Sequence, residues 1–261
     1  MRHALWVVLS LFMLGCAEDP APEKITDFSK WLWRNYDSAD NDQLANAMVQ
    51  LNGTVTAVTA DAPLKALISR LDSADSKLVG LKGDAKLGVG MLVVTESACT
   101  LAQVEKIHTS DDPGSVHPDA YTAYKRTFVQ SRTDYLAHKI AKLDWDTELT
   151  SNWASEKLKG GVRFVPDLGK VKSPFGAAIV SRTFLKEPAV GTNDSTVWPQ
   201  DYQIEAFYER APGKVVHLFA VWRQADFVGL STEGSFMQGK QLGGFVDWDK
   251  EMEKACKSGK F

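Results

Sequence analysis

The chain has 261 residues, enough for one large domain with a sizeable core. Thirty basic and 33 acidic side chains leave a net charge of −3. That argues against a nucleic-acid partner, which calls for a basic patch, and against a strong electrostatic hold on anionic lipid. Beyond the N-terminal segment no hydrophobic run reaches the about 20 residues of a membrane-spanning helix.

Arg2 and His3 form a short polar n-region, and Ala4 to Leu14 is an apolar run of eleven residues. It is too short to span a bilayer and has the form of a signal-peptide core. Gly15 is a small residue at the cleavage position, and Cys16 follows it. Leu9 to Cys16 resembles the lipobox region of bacterial lipoproteins, with Met13 and Leu14 as departures from the commonest residues. The resemblance implies cleavage before Cys16, acylation of that cysteine and durable anchoring through several acyl chains. With Ala17 rather than Asp after the cysteine, it implies the outer membrane. Residues 16–24, proline-containing and polar, read as an extended tether.

Ile25, Phe28, Leu32 and Tyr36 recur at helical spacing. Asp40 and Gln43 form a capping-box pair ahead of a second stripe, Leu44, Ala47, Met48 and Leu51, with Gly53 as its stop. Asp37, Asp40, Asn41 and Asp42 lack the ligand alternation, glycine and distal glutamate of a calcium loop and read as capping and solvation. Pro63 suits a helix start, with Leu64, Leu67, Ile68 and Leu71 as its stripe. The glycines at 80, 83, 88 and 90 are not followed by the lysine of a phosphate-binding loop. Met91–Val94 reads as a buried strand or helix start. Thr100 and Gln103 make another capping box, with Leu101, Val104 and Ile107 on one face. Asp111–Pro118 is a turn-rich loop, and Pro118 can open a helix bearing Tyr121, Tyr124 and Phe128.

Beyond about Lys139 the period changes. Leu143, Trp145, Thr147 and Leu149 alternate with acids, Gly160-Gly161 marks a break before Val162–Val165, and Phe175–Leu185 is extended. Tyr202–Arg210 and Lys214–Arg223 form a hairpin around Ala211-Pro212-Gly213. One face pairs Tyr208/Val216, Ala206/Leu218, Ile204/Ala220 and Tyr202/Trp222, all apolar. The other pairs Glu209/Val215, Phe207/His217, Glu205/Phe219 and Gln203/Val221. A one-residue slip would mix these faces, so the register is specified. Phe245, Trp248, Met252 and Ala255 mark a C-terminal helix, which should cover the apolar face at Trp222.

The expected organisation is a signal peptide (1–15), a tether (16–24) and a single α+β domain (25–261). Its N-terminal half, about 25–138, reads as helical. About 139–261 reads as an antiparallel β-sheet with the C-terminal helix packed on it. In an exported chain with Cys16 acylated, Cys99 and Cys256 form an even pair and read as one disulfide.

Sites of chemistry are sparse. His117-Pro118-Asp119 matches the loop tripeptide of J-domain co-chaperones but lacks the basic helix before it. His108, Asp111, Asp112, His117 and Asp119 match no compact metal pattern, so no metal and no cofactor is expected. No Gly-x-Ser-x-Gly elbow occurs. Glu205 and Glu209 share a strand face with Cα atoms about 13 Å apart, long for a glycosidase pair. The mixed face groups Glu205, Phe207, His217 and Phe219, polar groups among aromatics, as ligand pockets do. The sheet-then-helix order resembles the helix-grip architecture of START-like lipid-binding domains, which implies an apolar ligand. The stretches Cys99–Glu105, Asp201–Glu205, Glu209–Lys214 and Trp222–Gln224 are similar to uncharacterised predicted bacterial lipoproteins, which adds no activity. The reading is an envelope lipoprotein, lipid-anchored at the outer membrane, that binds an apolar ligand or a partner protein. The alternatives are an envelope hydrolase or a structural subunit of an envelope assembly.

Overall fold

The computed structural model describes residues 20–166, 176–192 and 196–261. The lipobox, Cys16 and Phe175 lie outside the described residues. Residues 20–24 of the expected tether lie against the domain: Ala21 packs on the core, and Thr54 Oγ1 donates to the Glu23 carbonyl at 3.4 Å.

Two helices come first, α1 (Ile25–Asn35) and α2 (Asn41–Thr54). Asp40 caps α2 reciprocally with Gln43, as the spacing predicts, satisfying two backbone donors at once. The helix runs through Gly53 and ends at Val55 rather than stopping at the glycine. Strands β1 (Leu64–Ile68) and β2 (Val89–Ser97) follow, then α3 (Leu101–His108), capped by Thr100 and Gln103. Next come β3 (Tyr121–Phe128), the short α4 (Arg132–Leu136), β4 (Lys142–Ser151), β5 (Ala154–Pro166), β6 (Ala177–Leu185) and β7 (Ala189–Gly191). The chain closes with β8 (Thr196–Ala211), β9 (Lys214–Phe227), β10 (Leu230–Ser231) and α5 (Ser235–Lys257).

The strands form one antiparallel sheet in the order β1-β2-β9-β8-β6-β5-β4-β3, with β10 on β9 and β7 bridging β5 and β8. The helical N-terminal half is therefore only partly present. Leu64–Ile68 is an edge strand on β2, not a helix opened by Pro63. Tyr121–Phe128 pairs with β4 instead of following Pro118 into a helix. Tyr124 and Phe128, four apart, share a face in either geometry, and strand pairing decides between them. Gly160 and Gly161 do not break a strand; they sit inside β5. A Cβ on Gly160 would lie 2.3 Å from Trp145 Nε1, so the bare backbone is what admits the indole.

The β8–β9 register is the one expected on both faces, from Glu209/Val215 to Tyr202/Trp222. Ala211 pairs with Lys214 after a bulge, so the loop is Pro212-Gly213, with Gly213 at φ +70°. The apolar face carries Tyr202, Ile204, Ala206, Tyr208, Leu218 and Trp222, all fully buried. Its cover is α1 and α2, not the C-terminal helix. Trp33 of α1 packs edge-on to Tyr202 at 5.5 Å and to Trp222 at 6.3 Å, and Trp222 Nε1 donates to Ser69 O at 2.9 Å. The two faces differ in polarity, and the wholly apolar one is covered by the wide apolar stripes of α1 and α2. Phe28, Leu32, Trp33, Leu44, Met48 and Leu51 are all buried there. Full burial of such side chains contributes roughly 1.5–3 kcal/mol each. Arg182 lies over the Tyr36 ring and pairs with Asp37, closing one edge of this layer.

The mixed face is covered by α3 and α5. Leu242 and Phe245 of α5 pack on Met91 and Val221. Met252 and Cys256 join Val104, Ile107, Phe207 and Val215. The buried stripe of α5 is Val246, Asp249, Met252 and Cys256; Met252 is as expected, the other three lie one position on from Phe245, Trp248 and Ala255, and Trp248 stays 40% exposed. Cys99 and Cys256 are joined across 157 positions of sequence with Cα atoms 5.6 Å apart, tying the start of α3 to the end of α5.

Candidate binding cavity

Between the mixed face and α5 lies a cavity of about 560 Å³. Successive strands supply its wall because residues directly opposite in an antiparallel ladder share a face. Thus Tyr124 and Arg126 stand on β3, Trp145 and Thr147 on β4, Glu156 and Leu158 on β5, and Thr183 on β6. Gln203, Glu205 and Phe207 follow on β8, and His217, Phe219 and Arg223 on β9. The exposed lining residues Asp119, Asn152, Trp153, Lys240 and Trp248 mark its mouth.

The four residues expected to group on the mixed face, Glu205, Phe207, His217 and Phe219, do line this cavity together. His217 is clamped. Its Nδ1 lies 2.8 Å from Asp249 Oδ1 and its Nε2 lies 3.1 Å from Glu205 Oε2. Thr95 Oγ1 donates to the second oxygen of Asp249 at 2.7 Å, and the Phe207 ring stacks on the imidazole at 3.9 Å. Burial alone would push the His217 pKa down, but Asp249 and Glu205 outweigh it and raise it to about 9. Both ring nitrogens therefore carry protons at neutral pH and donate to the carboxylates. Burial pushes Glu205 up, while His108, His217 and Arg126 together hold it below the usual carboxylate range.

Asp249 is the residue that sequence reasoning missed. Its signal was there: a lone acid at the centre of an otherwise apolar helical stripe, Val246, Asp249, Met252. Arg126 was missed as well. It lies on β3 with its guanidinium 4.5 Å over the Trp145 ring and 5.5 Å over that of Tyr124. Arg223 pairs with Asp201 and lies over Trp198 at 4.5 Å. Glu156 faces the cavity with no hydrogen bond or ion pair among the described residues, and burial raises its pKa to about 7.

Two further histidines line the cavity, His117 buried and His108 partly buried at the end of α3. His108 packs near Phe207 and Trp145, and burial drops its pKa to about 4. His117 stacks on Trp248 at 3.5 Å and is likewise lowered to about 4 by burial. Among the described residues no group of three His, Cys, Asp or Glu side chains is placed to hold a metal ion. Glu209 is not the partner of Glu205. It accepts from Leu101 N at the start of α3 and from Gly213 N in the hairpin loop, a structural role.

No protein-family model matches the chain, and no curated protein matches it. Among solved structures it is similar to a START superfamily protein from Mycobacterium smegmatis, at 12% identity over 65% of this chain and 97% of that one, TM-score 0.40. It is similar to human STARD10, at 11% identity over 64% and 63%, TM-score 0.38. The lipid transfer and protein localization domain of human StarD13 gives 10% identity over 74% and 84%, TM-score 0.41. At TM-scores below 0.5 none of these bears on ligand or activity.

Proposed function

We propose that this protein binds an amphipathic small molecule in the cavity between the sheet and α5, as a carrier or sensor of the cell envelope. The observation that carries the reading is the cavity itself. Its volume of about 560 Å³ lies within the range of small-molecule sites, about 300–1,000 Å³. Aromatic and aliphatic side chains line most of it, with ionisable groups among them, of which Arg126, His108, Glu205 and His217 converge near α3. His217 holds both ring nitrogens against carboxylates, so neither is free to activate a nucleophile; this favours binding over a hydrolase. A volume of this size suits a single-chain or compact-ring ligand rather than a two-chain phospholipid.

The envelope location rests on the resemblance of Leu9–Cys16 to a lipobox region. In this reading Cys16 is acylated and holds the domain at a membrane, the outer one by the residue at 17.

Native mass spectrometry of the protein purified from its own membranes tests the binding reading. A co-purifying small molecule is expected. Its amount should fall when Thr183→Trp fills the cavity from β6. Ligand that persists in that variant would place it elsewhere, and protein that repeatedly carries nothing would overturn the reading. Cys16→Ser should release the chain from the membrane fraction or leave it unprocessed; an unchanged mature mass without lipid would rule out the anchor.

A further inference from the structure

We propose that the ligand of this cavity is an anionic amphiphile whose acidic head sits on the guanidinium of Arg126; the proposal rests on the reading that the cavity holds a ligand. The buried cations of the wall are otherwise matched. His217 faces Asp249 and Glu205, and Arg223 faces Asp201. Arg126 has no carboxylate within 4.0 Å among the described residues. Its Nη1 donates to two backbone carbonyls, His108 O at 2.9 Å and Ser110 O at 2.7 Å, and the Tyr124 side chain is its other hydrogen-bonding neighbour; all of these are neutral groups. Its Nε is buried without a hydrogen-bond partner among the described residues. Glu205, the acid whose charge it feels, is already committed to His217 at 3.1 Å.

A guanidinium out of water without a counter-charge is costly, and it stays charged because its intrinsic pKa is so high. Two features make this cost useful to a ligand. The carbonyl bonds and the Trp145 and Tyr124 rings hold the group in place before binding, so little freedom is lost on docking. With Nη1 taken by the carbonyls, its Nε–Nη2 edge is the pair of donors left to match a carboxylate or phosphate head. The placement also sets direction. Arg126, His108 and Glu205 stand at the α3 end of the cavity, while the exposed Trp153 and Lys240 stand at its mouth. In this placement the acidic head lies near α3 and the apolar tail runs past Leu158 and Phe245 towards Trp153 and Lys240.

Isothermal titration of the full-length protein with hexadecanoate, hexadecyl phosphate and hexadecanol separates the possibilities. These share one tail and differ only in the head. A charge-assisted contact in place of a neutral one predicts that at least one anion binds about 10- to 100-fold tighter than the alcohol. Which anion wins tells a carboxylate ligand from a phosphate one. Arg126→Met should bind all three alike, at the affinity of the alcohol. Equal binding by the wild type overturns the anion proposal and leaves the cavity reading standing. An anion preference that survives Arg126→Met also overturns it, since the head then sits elsewhere. Binding of none of the three overturns the proposal of an anionic amphiphile, and the native mass spectrometry described above then decides the cavity reading. Should Arg126→Met fail to fold, hexadecanoate labelled with 13C at its carboxyl carbon gives the answer on the wild type. The bound carboxyl should titrate below its ordinary range beside the guanidinium; titration above that range overturns the proposal.

Discussion

His217 is the residue through which α5 is tied electrostatically to the sheet, and its protonation should set the pH range in which the domain is most stable. Its folded-state pKa is raised from 6.5 to about 9 by Asp249 and Glu205. A raised value means that the folded state binds the proton more tightly. The stabilisation is therefore fully present below about 6.5 and is lost as pH rises through 9. At ~1.4 kcal/mol per tenfold change in proton affinity, the interaction is worth about 3 kcal/mol. Other groups titrate too. His108 and His117, lowered to about 4 by burial, add a rise in stability between pH 4 and 6.5. Glu156, raised to about 7, acts against the folded state as pH rises. His117 and Glu156 are common to the wild type and a His217→Gln variant and cancel in the difference; His108 and Glu205, which His217 lowers, are part of what the difference measures. Urea unfolding of both proteins at pH 6 and pH 10, disulfide intact, should show the gap between them shrinking by about 2–3 kcal/mol at the higher pH. A gap that stays constant or widens would mean that His217 is neutral in the folded protein and that the clamp is ordinary hydrogen bonding.

Three further outcomes follow from packing. Trp222→Ala should cost roughly 3–5 kcal/mol by urea unfolding, because the indole is fully buried against Trp33 and Tyr202; a loss below about 1 kcal/mol would contradict that burial. Replacing Cys99 and Cys256 together by serine should lower stability by up to about 5 kcal/mol on the chain-entropy estimate for a loop of this length, and alkylation of unreduced protein should find neither thiol free. Gly160→Val should destabilise strongly and shift the tryptophan fluorescence, since its side chain would occupy the place of the Trp145 indole; wild-type stability and emission would show that β5 and β4 can part at no cost.

The sequence by itself determined what depends on near neighbours. The two capping boxes at Asp40 and Thr100 are completed within four residues, and both helices begin where those pairs say. The β8–β9 hairpin is legible because its alternation runs long enough that only one register keeps one face apolar. Short runs were ambiguous for a geometric reason. Residues four apart, such as Tyr124 and Phe128 or Leu64 and Ile68, share a face in a helix and in a strand alike, so only the neighbouring strands decided that β1 and β3 are strands. The glycine pair at 160 reads locally as a break, and only the indole of Trp145 from the next strand explains it. Which helices cover which face was likewise undetermined, because both faces of the hairpin have apolar members and either can be buried; α1 and α2 took the wholly apolar one. The candidate site divides in the same way. Glu205, Phe207, His217 and Phe219 lie on paired strands and follow from register. Asp249 is 32 positions from His217, and Arg126 comes from the far edge of the sheet, so their meeting at one cavity is a product of sheet order and helix docking.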